Sequence, residues 1–299
     1  MSNPYIVDAK LGARFRARHT DQTETVIEQG NWNDNMILDV AIDYMRDGFT
    51  AEPTPIVGSS IIDVTPDQEG VQVPIVGMNV TKTKAVQAAK FVRTNDYAAY
   101  VTWITEYTFK NTTASSVNIS EIGIDNFNRA VFKDDQGVPR SWTVSPNENL
   151  IVEMEMRISF TSPTQPTVIT TVDQDGATID TINCKTTVAN QFDVGTPQWW
   201  KLLAKPAHNV HLITDPNFAG LDKPSDATKM VAANVASDYT YTNRSIAIDI
   251  RHRAGVGGND VKGLLVGFAC LTPAYGFVFD KIVRIGGGYS YSAGINITW

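Results

Sequence analysis

A mainly β fold, an antiparallel β-sandwich of Greek-key or jelly-roll type with one short N-terminal helix and an irregular insertion, is what the sequence predicts. Three observations predict it. Residues 149–160, NLIVEMEMRISF, alternate without a fault. Leu150, Val152, Met154, Met156, Ile158 and Phe160 fall on one side, and Ile151, Glu153, Glu155, Arg157 and Ser159 on the other. Strand side chains alternate faces, so this is a long strand with an apolar face and a charged one. Most of the remaining chain reads as shorter strands separated by Pro or Gly turns. Only one segment carries a strong helical repeat, and many strands with a single good helix indicate a sandwich.

In chain order, residues 1–30 are polar, lack a helical stripe and read as an N-terminal arm. Within them GARFRARH sets Arg14, Arg16 and Arg18 at alternate positions, which share a face only on an extended segment. Two readings stand: an arm that docks on an acidic neighbour or on DNA, or a solvated tail with ordinary charges. Residues 31–161 read as the first part of the sandwich. NWNDNMILDVAIDYMRDG is its helix. Trp32, Met36, Ile37, Val40, Ala41, Tyr44 and Met45 follow the helical repeat, Asn31 or Asn33 caps the start, and Gly48 stops it. YVTWITEYTFKN then alternates Val101, Trp103, Tyr107 and Phe109 against Thr102, Glu106, Thr108 and Lys110. Residues 162–240 hold six prolines, from Pro163 to Pro224, and read as an insertion or small second lobe. Inside it SDATKMVAANVAS, residues 225–237, is a weaker helix whose alanines favour the state although its apolar face is thin. Residues 241–299 supply SIAIDIR, GLLVGFACL, YGFVFDKIVRI and YSYSAGINITW, the strands that complete the sandwich.

Composition narrows the function. The chain has 299 residues, 42% hydrophobic and 19% charged, which is globular and long enough for a core without staples. A formal charge of −7 argues against a surface that binds nucleic acid as a whole. Cys184 and Cys270 are the only cysteines, which excludes a disulfide framework, and two free thiols in a reducing compartment are favoured over one disulfide. The first residues show no apolar signal region and the chain no apolar run of membrane length, so a soluble cytosolic product is expected.

Chemistry is sparse in the sequence. HNVHLITD sets His208 and His211 three apart with Asp215 following, but this spacing is common by chance, and neither a metal site nor a cofactor is predicted. No nucleophile motif is present, and GVGGND and GGG read as hairpin turns, lacking the Lys-Ser/Thr of a phosphate loop. Glu153 and Glu155 share a strand face and Glu106 lies on the polar face of another. If those strands were neighbours the acids would cluster, as a glycan-cleaving pair requires. The plainer reading is a solvated sheet face with Arg157 and Lys110 interleaved. Trp199 and Trp200, side by side in PQWWKLL, are candidates for a partner contact.

The order of segments WNDNMILDVAIDYM, PTPIVGSSIIDVTPDQEGVQVPI, YAAYVTWITEYTFKN and VNISEIGIDNFNRAVFKDDQGVPRSWTVSPNENLIVEMEMRISF resembles a group of tailed-bacteriophage virion proteins, among them tail, collar and fibre-attachment proteins. Ser120–Gly123 matches a hairpin piece, Asn128–Val131 an arginine strand, and the closing SAGINITW a terminal strand ending in tryptophan. The likeness covers residues 32–160 and the last dozen; the middle region has no counterpart. It implies a non-enzymatic structural subunit that forms homo-oligomers, contacts other phage proteins and assembles in the host cytoplasm. On this reading Glu121 and Arg129 pair across the hairpin, and Arg14, Arg16, Arg18, Trp199 and Trp200 serve subunit contacts. The alternative is a carbohydrate-binding or receptor-binding module of a virion, with exposed aromatics stacked on sugar.

Overall fold

The computed structural model describes residues 7–41, 54–172, 177–189, 209–221, 224–232, 234–242, 245–253, 259–268, 271–285 and 290–298. The chain is 63% strand and 3% helical, so the mainly β expectation holds. It divides into two units. One comprises Leu11–Lys90 and Thr102–Arg157, the other Met1–Lys10, Phe91–Val101 and Ile158–Trp299.

The first unit is built from β1 (Val7–Thr20), β2 (Val26–Gln29), β3 (Asn33–Ile37), β4 (Pro55–Gly58), β5 (Met78–Asn95), β6 (Ala98–Asn111), β7 (Val117–Ile119), β8 (Glu121–Ile124), β9 (Asn128–Val131), β10 (Trp142–Val144) and β11 (Asn149–Thr161). The dividing line falls within β1, β5, β6 and β11. β1 pairs antiparallel with β2 and β3, β3 with β9, β9 with β8, and β8 with β4. β6 pairs with β11, and β7 with β10. Leu11, Phe15 and Ala17 of β1, Phe109 of β6, and Leu150, Val152, Met154 and Met156 of β11 are buried. Phe132 and Trp142 meet edge to face, their centroids 6.4 Å apart.

Two expectations change here. Residues 7–20, placed in a polar arm, form β1 within the sheet, because its alternate residues Phe15 and Ala17 face the core. The polar look of the segment belongs to its other face. Residues 33–37, expected as the first helical turns, form β3. Asn33 does not cap a helix: its Oδ1 accepts the Lys133 backbone N–H at 3.1 Å, extending the strand contacts sideways. Helical turns begin only at Asp39, and the rest of the expected helix, from residue 42 on, lies outside the described residues.

The second unit contains β12 (Thr167–Val172), β13 (Thr178–Val188), β14 (Asn209–Ile213), β15 (Met230–Ala232), β16 (Asn234–Thr242), β17 (Ser245–Arg253), β18 (Asn259–Phe268), β19 (Leu271–Ile285) and β20 (Ser290–Thr298). Their registers run antiparallel in the spatial order β15, β14, β18, β19, β13, β12, β20, β17, β16. Val7–Lys10 lies parallel to Ile295–Thr298 of β20. The interval 162–240 therefore contributes strands β12 to β16. The helix expected at 225–237 is absent: a short 3-10 turn, Ala227–Lys229, leads into β15 and β16. Asp226 Oδ1 accepts the Thr228 N–H at 2.9 Å, which favours the turn, and cross-strand pairing outweighs alanine propensity.

Ala189, Ile213, Phe218 and Leu265 form a buried cluster in this unit. Close by, Gly220 at φ +86° packs against Gly276, where a Cβ would land on the Gly220 carbonyl oxygen. Gly276→Ala is expected to cost about 1–3 kcal/mol, read as a lowered urea midpoint.

Candidate functional site

The charged faces of β1 and β11 meet in the first unit. Alternate residues of a strand repeat every ~6.8 Å, so Arg14, Arg16 and Arg18 on one strand match the spacing of Glu153 and Glu155 on another. Arg14 Nη2 donates to Glu155 at 2.7 Å, and Arg16 Nη2 to Glu153 at 2.5 Å. Arg18 bridges two strands, Nη1 to Glu153 at 2.7 Å and Nη2 to Glu106 of β6 at 2.5 Å. Arg157 adds a longer contact to Glu155, 3.4 Å. The three glutamates are only 7–8% exposed, so the expected solvated face is instead buried under arginines. Burial opposes the charge on Arg18, but the bonds to Glu106 and Glu153 outweigh it and raise its pKa above the ordinary value.

Trp32 completes the ladder. The Arg14 and Arg16 guanidinium carbons lie 4.6 and 4.9 Å from its ring centroid, a double cation–π contact. Assigned to a helical stripe, Trp32 gives no sequence signal for this role. Beyond Arg18, His19 Nε2 lies 2.9 Å from Glu148 Oε2.

The acids thus cluster as neighbouring strands allow, but guanidinium donors occupy their oxygens. At one end a cleft of about 230 Å³ opens among Gly12, Ala13, Arg14, Asp34, Glu155 and Arg157. That is smaller than the ~300–1,000 Å³ of typical small-molecule pockets.

A second ionic site lies under the β8–β9 hairpin. Glu121 and Arg129, both fully buried, pair across it, Nε to Oε2 at 2.6 Å. The Glu121 carboxylate also accepts the backbone N–H groups of Ser60 at 3.1 Å, Gln72 at 3.1 Å and Val73 at 2.9 Å. Arg129 Nη1 donates to Gln68 Oε1 at 2.7 Å. One ion pair therefore holds the loop 59–77 at Ser60, Gln68, Gln72 and Val73.

Trp199, Trp200, His208 and Cys270 fall outside the described residues. His211 sits on β14, while Asp215 accepts from Lys229 Nζ at 3.0 Å. Among the described residues no three His, Cys, Asp or Glu side chains gather as metal ligands. Cys184 is a free thiol whose pKa burial pushes up, which makes it a poor nucleophile.

Several carboxylates stabilise the fold in a pH-dependent way. The Ser145 backbone N–H, donating at 2.8 Å, is the main cause that holds Glu148 below the usual carboxylate range, and His19 adds to it. Asp215 is lowered chiefly by the Asn217 N–H, and Asp226 by the Thr228 hydroxyl. A depressed folded pKa gives stability that is complete above the unfolded value and lost as pH falls through the folded one. Thermal melts are expected to stay level above about pH 5 and to fall steeply below about pH 4, with a shallower fall for Glu148→Gln.

No protein family, curated protein or solved structure matches this chain.

Proposed function

We propose that this chain is a structural subunit of a tailed-phage particle, a tail, collar or fibre-anchoring protein on a β-sandwich scaffold. It works by homo-oligomeric assembly and by contacts with other virion proteins, and it is made and assembled in the host cytoplasm. The observation that carries the structural role is the ladder. The charged groups that would serve chemistry on β1, β6 and β11 are consumed in tying strands together, which stiffens a sheet rather than preparing a reaction. The virion assignment draws on the likeness of residues 32–160 to phage structural proteins, including the hairpin that holds Glu121 and Arg129.

Arg14, Arg16 and Arg18 serve this role as internal ties rather than as lashes to a neighbour. Deleting residues 1–30 would therefore unfold the first unit instead of merely freeing an arm. Negative-stain electron microscopy of the purified full chain is expected to show closed rings or stacked tubes of uniform diameter. A field of isolated single chains at micromolar concentration would contradict the proposal.

A further inference from the structure

The loop clamped by Glu121 displays what a buried loop would hide. Ile61, Ile62, Val73 and Val76 are exposed, Ile62 at 63% and Val76 at 94%. The same loop carries Asp63, Asp67 and Glu69, all exposed, and no basic residue between positions 61 and 76. Exposed apolar side chains gathered on one acidic loop mark a surface suited to contact with a partner.

The loop is also held ready. Besides the Glu121 clamp, the Gln68 side chain accepts the Thr65 N–H at 3.2 Å and donates to the Asp63 carbonyl at 3.1 Å, and Asp39 N–H donates to the Pro66 carbonyl at 2.8 Å. A preorganised loop loses little freedom on docking.

Its complement lies in the same unit. The part of β5 in this unit holds Lys82, Lys84 and Lys90 and no Asp or Glu. From Thr81 to Val86 every residue is exposed, so both faces of the strand meet solvent, which is unusual inside an 18-residue strand. Ala85 and Val86 supply apolar surface between the lysines. Lys82 reaches Glu24 only at 3.4 Å with both side chains more than half exposed, and Asp63 reaches Lys133 only at 3.7 Å. Loose rim pairs of this kind are worth little and yield readily to a better partner.

We infer that the acidic, apolar loop 61–76 of one copy docks on the basic ribbon Thr81–Lys90 of a second copy of this chain. The two patches differ, so the contact is head to tail, and repeating it closes a ring or propagates a tube. Opposite charge fixes the register and speeds encounter, and the Ile and Val side chains supply the dry centre. This inference rests on the proposed assembly role and identifies the surfaces that carry it.

A charge exchange tests it by light scattering on the full chain, with thermal melts to show that each variant is folded. Lys82→Glu with Lys84→Glu, and separately Asp63→Lys with Glu69→Lys, are expected each to reduce the wild-type assembly to single chains. An equimolar mixture of the two variants is expected to restore the assembled mass, because every contact in an alternating array is again between opposite charges. Folded variants that keep the wild-type mass, or a mixture that stays monomeric, would overturn the contact and leave the assembly role standing. A wild-type protein that is itself monomeric would overturn both.

Discussion

Glu121→Ala is expected to lower the stability of the first unit by about 3–5 kcal/mol, the usual consequence of leaving one member of a buried ion pair alone. Arg129, fully buried, would keep only the Gln68 contact. The backbone N–H groups of Ser60, Gln72 and Val73 would lose their acceptor at the same time. Each orphaned donor adds a desolvation cost wherever water cannot reach it. Urea unfolding followed by tryptophan fluorescence measures the loss. Glu121→Gln should cost less than Glu121→Ala, since an amide oxygen still accepts from the loop. Equal losses would mean that the loop contacts are incidental. Proteolysis gives an independent readout: the loop 59–77 of Glu121→Ala should be cut at concentrations of protease that leave the wild type intact.

Glu153→Ala is the second large effect, about 2–3 kcal/mol from the loss of two charge-assisted hydrogen bonds. Arg16 would retain the Trp32 ring, and Arg18 would retain Glu106. A double-mutant cycle with Arg16→Ala separates the pair from its surroundings. Coupling near zero would show that the rung at 2.5 Å holds no strands together. Because Glu153 is almost wholly buried, high salt should weaken this coupling far less than it weakens the Lys82–Glu24 pair.

Much of this was legible in the residues. The alternation of residues 149–160 marks β11, and SEIG and NRAV mark the hairpin with its Glu121–Arg129 pair. The arginines of β1 and the glutamates of β6 and β11 each stand out by alternation. Their partnership does not, because matching two charged faces requires knowing which strands share a sheet. The same gap explains the solvated-face reading: a charged face looks alike whether water or a complementary strand covers it.

β3 was illegible for another reason. In a stretch as short as NDNMI the helical and strand periods select overlapping sets of apolar positions, and only the pairing of Ala13 with Asn35 and of Met36 with Arg129 decides between them. At residues 225–237 the alanines argue locally for helix while β14 and β17 offer strand partners, and the long-range pairing wins. The exposure of β5 on both faces leaves no trace in its composition beyond a surplus of lysine.

Both proposals stand on self-assembly of this chain. Multi-angle light scattering of the full chain, from sub-micromolar to tens of micromolar, measures it. A mass several times that of one chain is expected at the upper concentrations, falling when salt screens the lysines of β5. A mass equal to a single chain at every concentration and every salt would contradict it.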